Sequence, residues 1–209
     1  MSQFVDTHCH IQSAGGDGGE RTTAGLWAKA PDISASEIIE AANEAGVSRL
    51  ICVGCDVPDS QLAVSFASKQ AHCRASIGIH PHEAKLYVDN DAELAAFAAL
   101  ATDPAVVAVG ECGLDFYYNH SPKSDQEKLL RYQIELALKH DLPIIFHVRE
   151  AFDDFWPIFE SYEGIRGVLH SFTDSLSNME KAIEKGLYIG VNGIATFAKD
   201  PDQLAVYKA

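Results

Sequence analysis

The sequence predicts an α/β fold of the TIM-type (β/α)8 barrel kind, and three observations carry that prediction. Short β-branched runs alternate seven times with longer helical patterns, which calls for parallel strands joined by crossover helices. Just after five of those runs stand candidate chemical groups: His8 and His10, His80 and His82, Glu111, His147, and His170. A barrel gathers its chemistry in this way, at the C-terminal ends of several strands around one mouth. Finally, the first strand leads into histidines and not into a G-x-G-x-x-G phosphate loop, so a doubly wound open sheet fits less well.

The first strand is Phe4-Val5-Asp6-Thr7-His8-Cys9-His10. Side chains alternate along a strand, so His8 and His10 share one face while Cys9 turns toward the helical shell. Ser13 to Gly25, glycine-rich and carrying Asp17 and Glu20, reads as a loop that either covers a site or is simply solvated. Ser34 caps a helix over Ala35 to Ala45, where Ile38, Ile39, Ala42 and Ala45 make one face and Gly46 ends it. Arg49 to Gly54 is a buried strand, a helix follows over Asp59 to Gln70, and Ala75 to Ile79 is the third strand.

The same alternation continues to the end of the sequence. Ala92 to Ala101 is helical and closed by Asp103-Pro104, and Ala105 to Val109 is the fourth strand. Ser124 caps a long helix to His140 whose apolar face holds Leu129, Ile134 and Leu138. Pro143 to Phe146 is the fifth strand, Glu150 to Tyr162 a helix despite Pro157, and Gly167 to Leu169 the sixth strand. Leu176 to Lys185 is helical, Leu187 to Val191 is the seventh strand, and Pro201 opens a helix over Asp202 to Ala209.

With 209 residues of which 47% are apolar, the chain can bury a substantial core, and nothing divides it, so residues 1–209 are expected to form a single domain. A net charge of -14 and a pI near 4.9 argue against tight non-specific binding to long duplex DNA, which depends on lysines and arginines. The five cysteines are odd in number and scattered, as in a reducing compartment. There is no basic start followed by an apolar stretch, and no apolar run approaches the ~20 residues that cross a bilayer. The expectation is a cytoplasmic protein with no membrane contact and no obligate protein partner. Cys52-Val53-Gly54-Cys55 has C-x-x-C spacing, but without a second pair it reads as two buried cysteines ending the second strand. Cys112 lies close to the polar rim, and Phe116, Tyr117 and Tyr118 could either stack on a base or pack beneath a loop.

Any one of these histidines alone also fits a satisfied core position, and Glu111 alone fits a helix cap. Together, imidazoles and a carboxylate at one mouth describe a nitrogen and oxygen metal site that needs no thiolate. A bridging carboxylate such as Glu111 lets two divalent ions sit about 3.5–4 Å apart, and the chemistry such a pair supports is hydrolysis.

The chain resembles the TatD-like metal-dependent hydrolases, which belong to the amidohydrolase-type barrels. The resemblance rests on VDTHCH at 5–10, IGIHPH at 77–82, VGECGLDFYY at 109–118, IIFHVREAF at 144–152 and VLHSFTDS at 168–175, with IGVNGIATF at 189–197. It implies that His8, His10, Glu111, His147 and His170 hold two divalent metal ions (Mg2+, Mn2+ or Zn2+), with Glu111 bridging and Glu111, His147 and His170 serving catalysis. His80, His82, Asp115 and Arg149 would lie near the substrate phosphate. The implied activity is phosphodiester hydrolysis, as a deoxyribonuclease or 3′-exonuclease acting on DNA 3′ ends or another small phosphodiester.

Two departures from the family pattern stand out. The second histidine is followed by Ile11-Gln12 where the family has Leu-Asp. Relatives also continue into a last strand ending in Glu-Thr-Asp, whose aspartate binds metal and acts as general base. Here Asp200 and Asp202 merely flank Pro201. The resemblance therefore implies a barrel truncated after about seven strands, with two unpaired edges and reduced or no activity alone. The alternatives are an amidohydrolase on a small C–N or ester substrate, or a catalytically impaired metal-binding protein.

Overall fold

The computed structural model describes residues 4–14, 25, 27, 29 and 34–209. Seven parallel strands pair strictly in chain order and curl into an open half-barrel: β1 (Phe4–Cys9), β2 (Val47–Val53), β3 (Cys73–Ile77), β4 (Val106–Asp115), β5 (Ile144–Arg149), β6 (Gly167–Leu169) and β7 (Tyr188–Ile189). The helices between them are α1 (Ala35–Glu44), α2 (Val57–Ala67), α3 (Ala84–Tyr87), α4 (Asp91–Leu100), α5 (Lys123–Lys139), α6 (Phe152–Phe159) and α7 (Leu176–Glu184), and α8 (Pro201–Val206) follows β7. The sheet order β1 to β7 matches the expected barrel topology as far as it goes, and β1 and β7 are not paired with each other. Of the glycine-rich loop, residues 15–24 lie outside the described residues.

Two hydrophobic layers follow from strand alternation. Val53, Ala108 and Ile145, with Ile51 and Val168, face the barrel interior. Cys52, Ala75, Ile77, Val109, Phe146 and Leu169 face the helices and join the main core with Leu130, Ile134, Phe155 and Phe159. Phe146 lies edge-on to Phe155 with ring centroids 5.2 Å apart, the arrangement that ring quadrupoles favour. The interior layer explains the site: His147 follows Ile145 by two residues and His170 follows Val168 by two, so both imidazoles point inward at the strand ends.

Several elements differ from the sequence-based expectations. Strand β4 does not stop at Val109 but runs to Asp115, because the Glu111 N–H finds the Gly54 carbonyl at 3.1 Å and pairing with β5 resumes at Cys112. The register slips between Val109 and Cys112, so both face the core although three residues apart. A bulge of this kind re-aims side chains next to functional sites, and here it turns Glu111 and Asp115 inward.

Helix α5 begins at Lys123 with Pro122 in the capping position, and Ser124 is no cap. Its hydroxyl instead bonds the Asp125 carboxylate at 3.1 Å, and the Pro122 carbonyl takes the first N–H groups. Helix α6 is shorter than expected because Glu150, at φ 50°, cannot be helical. Helix α2 starts at Val57, two residues before Asp59, with Asp56 as its cap, and β7 keeps only two residues of ladder. The short helix α3 after His82 was not foreseen. The cap at Ser34 holds, completed by Glu37 as a capping box.

Candidate metal centre

Glu111 lies at the focus of the rim. It is buried, and its carboxylate meets His147 Nδ1 at 2.8 Å, His8 Nε2 at 3.3 Å, His80 Nε2 at 3.8 Å and His170 Nε2 at 4.0 Å. Two groups of three ligand atoms, each within 4.8 Å of one another, share this carboxylate: His8, His10 and Glu111 on one side, and His80, Glu111 and His147 on the other. The His8 and His170 rings stack at 3.5 Å. Backbone approach makes this convergence feasible. A Cβ at Gly78 would lie 2.3 Å from the Glu111 nitrogen, and one at Gly113 would lie 1.9 Å from the His147 carbonyl oxygen. Only glycine lets β3, β4 and β5 close so tightly.

Hydrogen bonds then orient the rings. His10 Nδ1 donates to the Val53 carbonyl at 2.9 Å, which turns Nε2 toward the centre, and Trp27 Nε1 donates to the His10 carbonyl. His147 donates from both nitrogens, to Glu111 at 2.8 Å and to Asp115 at 2.9 Å, and His82 Nε2 reaches the same Asp115 oxygen at 3.0 Å. Asp115 is fully buried, so it anchors these two rings and does not face the cleft. The cleft itself, about 490 Å³, is walled by Glu111, His147, Arg149, His170 and Asp174. Arg149 lies over the rings of Tyr117 and Tyr118 at 4.1 and 4.8 Å. Both tyrosines are exposed, and Phe116 is half-buried against the core with Lys123 over its ring.

Burial and charge pull the titrations in opposite directions. For Glu111, burial would raise the pKa, but hydrogen bonds from His147 and His8 and the nearby His80 hold it well below the usual carboxylate range. Asp115 is depressed in the same way by His147 and His82. Burial would lower His147, yet its bonds to Asp115 and Glu111 outweigh this and raise it to about 9. His80 and His170 are pushed down to about 3 and about 4, mainly by burial.

The residues present fit divalent metal. The donor set is imidazole and carboxylate, and His8 Nδ1 is buried with no hydrogen-bond partner among the described residues. Each group of three leaves open positions, as catalytic sites do.

Two supporting glutamines went unnoticed in the sequence. Gln133 Oε1 accepts from the Ile79 N–H and its Nε2 donates to the Ile79 carbonyl, fixing the turn into His80. Gln126 does the same for Asp115, accepting from its N–H at 2.8 Å and donating to its carbonyl at 3.2 Å. Their only signal was polar residues seven apart on the apolar face of a helix. The C-x-x-C pair is split: Cys52 is buried in the core, whereas Cys55 is half-buried at the rim, so the expectation of two buried cysteines fails for Cys55. Cys112 points away from the centre into the core.

Comparison with known proteins accords with this geometry. The family described as TatD related DNase matches residues 5–209. The chain is 35% identical over 179 residues to a Salmonella typhimurium protein named 3'-5' ssDNA/RNA exonuclease TatD, covering 85% of this chain and 66% of that one. It is 38% identical over 159 residues to the Klebsiella pneumoniae protein of the same name, covering 75% of this chain and 60% of that one. The chain thus spans less than two thirds of the length of these curated relatives. A solved TatD homologue from Escherichia coli superposes with a TM-score of 0.76 at 26% identity, covering 92% of this chain and 69% of that one.

Proposed function

We propose, from the premise that the chain belongs to the TatD related DNase family, that it is built for divalent-metal-dependent hydrolysis of phosphodiester bonds at the 3′ end of single-stranded nucleic acid. The observation that carries this reading is the sharing of Glu111 between two groups of imidazoles. His8 and His10 would hold one ion and His147, with His80 or His170, the other, with Glu111 between them. Bound there, the metal would polarise a phosphoryl oxygen and make water nucleophilic near neutral pH.

The chain's own residues supply the rest. Asp115 holds His147 and His82 in fixed orientation, and an outer partner of this type keeps a ligand ring aimed at its ion. Arg149 stands at the cleft wall, placed to pair with a phosphate, and the metal together with this guanidinium offsets the acidic balance of the chain. Tyr117 and Tyr118, exposed and backed by Arg149, offer ring faces to unpaired bases without regard to sequence.

Labelled single-stranded DNA incubated with the chain and Mn2+ or Mg2+ tests the reading. Release of mononucleotides that disappears in Glu111→Ala and His8→Ala supports it. Stoichiometric metal uptake with turnover of amides alone favours the amidohydrolase alternative, and uptake with no turnover on any ester or amide favours the impaired metal binder. A specific feature keeps that last reading open: an opening of about 330 Å³ beside His8 and His10, lined by Asp6, His170 and Asn192.

A further inference from the structure

We propose that His10, Cys55 and Asp59 form a separate site for a thiophilic divalent ion such as Zn2+ or Cd2+, which competes with the Glu111 centre for His10. Strand β2, unlike β1, β3, β4 and β5, gives neither Glu111 group a ligand, and the turn after it carries Cys55. A ring nitrogen of His10, Cys55 Sγ and an Asp59 carboxylate oxygen lie within 4.8 Å of one another. Bonds of about 2.0–2.3 Å to one ion would draw these three donors together.

Their placement is restrained from several sides. The Cys55 N–H donates to Asp59 Oδ2 at 3.0 Å, and the Cys55 carbonyl accepts from the His80 N–H at 2.8 Å. Gln12 Nε2 donates to Val53 O at 2.8 Å and to Asp59 Oδ1 at 3.3 Å. The Gln12 side chain is only 4% exposed, yet its Oε1 is buried with no partner among the described residues. Buried oxygens are normally paired, and this unpaired acceptor belongs to the side chain that grips Asp59.

The donor chemistry separates the two sites. A sulfur, nitrogen and oxygen set favours soft or borderline ions, whereas the Glu111 groups contain no sulfur and suit Mg2+ or Mn2+ as well. His10 belongs to both donor sets, and with Nδ1 bonded to Val53 its ring keeps a single lone pair, on Nε2, which cannot serve two ions. Binding exchanges the Cys55 thiol proton for the ion, and the proton leaves to solvent. A thiophilic metal in excess therefore withdraws His10 from the hydrolytic centre.

Cobalt is the probe, because a thiolate bound to Co2+ gives a sulfur-to-metal charge-transfer band in the near ultraviolet. The intact chain titrated with Co2+ is expected to show that band, and Cys55→Ser to lack it. Asp59→Asn should weaken the apparent Co2+ affinity by roughly tenfold or more, the lower end of what losing even an outer-shell partner costs. No band in the wild-type chain, or a band that survives in Cys55→Ser, overturns the proposal. A second measurement needs no variant: alkylation of Cys55 by iodoacetamide, followed by mass spectrometry, should slow by roughly tenfold with Cd2+ present, and an unchanged rate also overturns it. Neither readout involves hydrolysis. A chain that shows the band but cleaves no DNA would defeat the nuclease reading and leave this one standing.

Discussion

The middle of the rim and its two ends are held by different means. Across β3, β4 and β5 the backbones touch, with glycines at 78 and 113 where a Cβ would collide with Glu111 and His147. Buried glutamines lock the turns there, and Asp115 ties two imidazoles together. At β1 and β7 the contrast is plain: Phe4 is 63% exposed and Tyr188 78%, and the cavity beside His8 opens between them. The lesson is that the ligands on β4 and β5 are pre-positioned by a closed lattice of short contacts. Those on β1 stand on a strand supported from one side only.

Substitutions can test that contrast, beginning with the largest effect. Gly113→Ala places a methyl against the His147 carbonyl at φ 152°, and it should destabilise the chain by on the order of 3 kcal/mol or more. Urea unfolding would measure this, and a loss below about 1 kcal/mol would mean that the middle is not tightly closed. Gln133→Ala strands the Ile79 N–H and carbonyl inside the protein and should cost on the order of 2 kcal/mol. If the proposed hydrolysis holds, DNA cleavage should fall by more than this loss of stability accounts for, because the turn it holds carries His80.

Acid and alkali should probe the same region in the chelated, metal-free chain. An ordinary imidazole titrates near ~6.5. His147, raised to about 9, contributes stability that is complete below pH 6.5 and is lost as pH climbs through 9. His80 and His170, held down to about 3 and about 4, contribute stability above pH 6.5 that is lost as pH falls toward those values. The depressed carboxylates Glu111 and Asp115 act in the same sense on the acid side. Calorimetry with chelator present should therefore find the melting temperature highest near pH 6.5. A melting temperature still rising between pH 6.5 and 9 would show that His147 is not gripped by both carboxylates.

The smallest effect belongs to the edge. Tyr188→Thr should change unfolding free energy by no more than ~0.5 kcal/mol, while light scattering should detect less self-association, since exposed apolar edges invite pairing. A loss of several times that size would place β7 among the structural strands.

Reading the sequence succeeded where local chemistry settles the outcome. The Ser34 cap, the Gly46 stop and the inward aim of His147 and His170 each depend on spacing within a few residues. It failed where a distant partner decides. Gly110 looked like the end of a strand, but the chain continues because Gly54 accepts the Glu111 N–H from a neighbouring strand. Ser124 looked like a cap, yet Pro122 takes that position. Asp115 was expected beside a phosphate, and only the fold shows it enclosed between His147 and His82. Cys55 was paired with Cys52 by spacing alone, although strand alternation and the following turn send the two side chains to different places.

Gln126 and Gln133 lie two turns apart on α5, about 10.5 Å along its axis, and each grips the end of a different strand. One rigid rod thus gauges the distance between the turn that carries His80 and the strand end that carries Asp115. A change that slides or tilts this helix would move both strand ends together. The spacing across the mouth is therefore inherited from a helix that contributes no chemical group to it, and tuning the centre could proceed through that helix without altering any ligand.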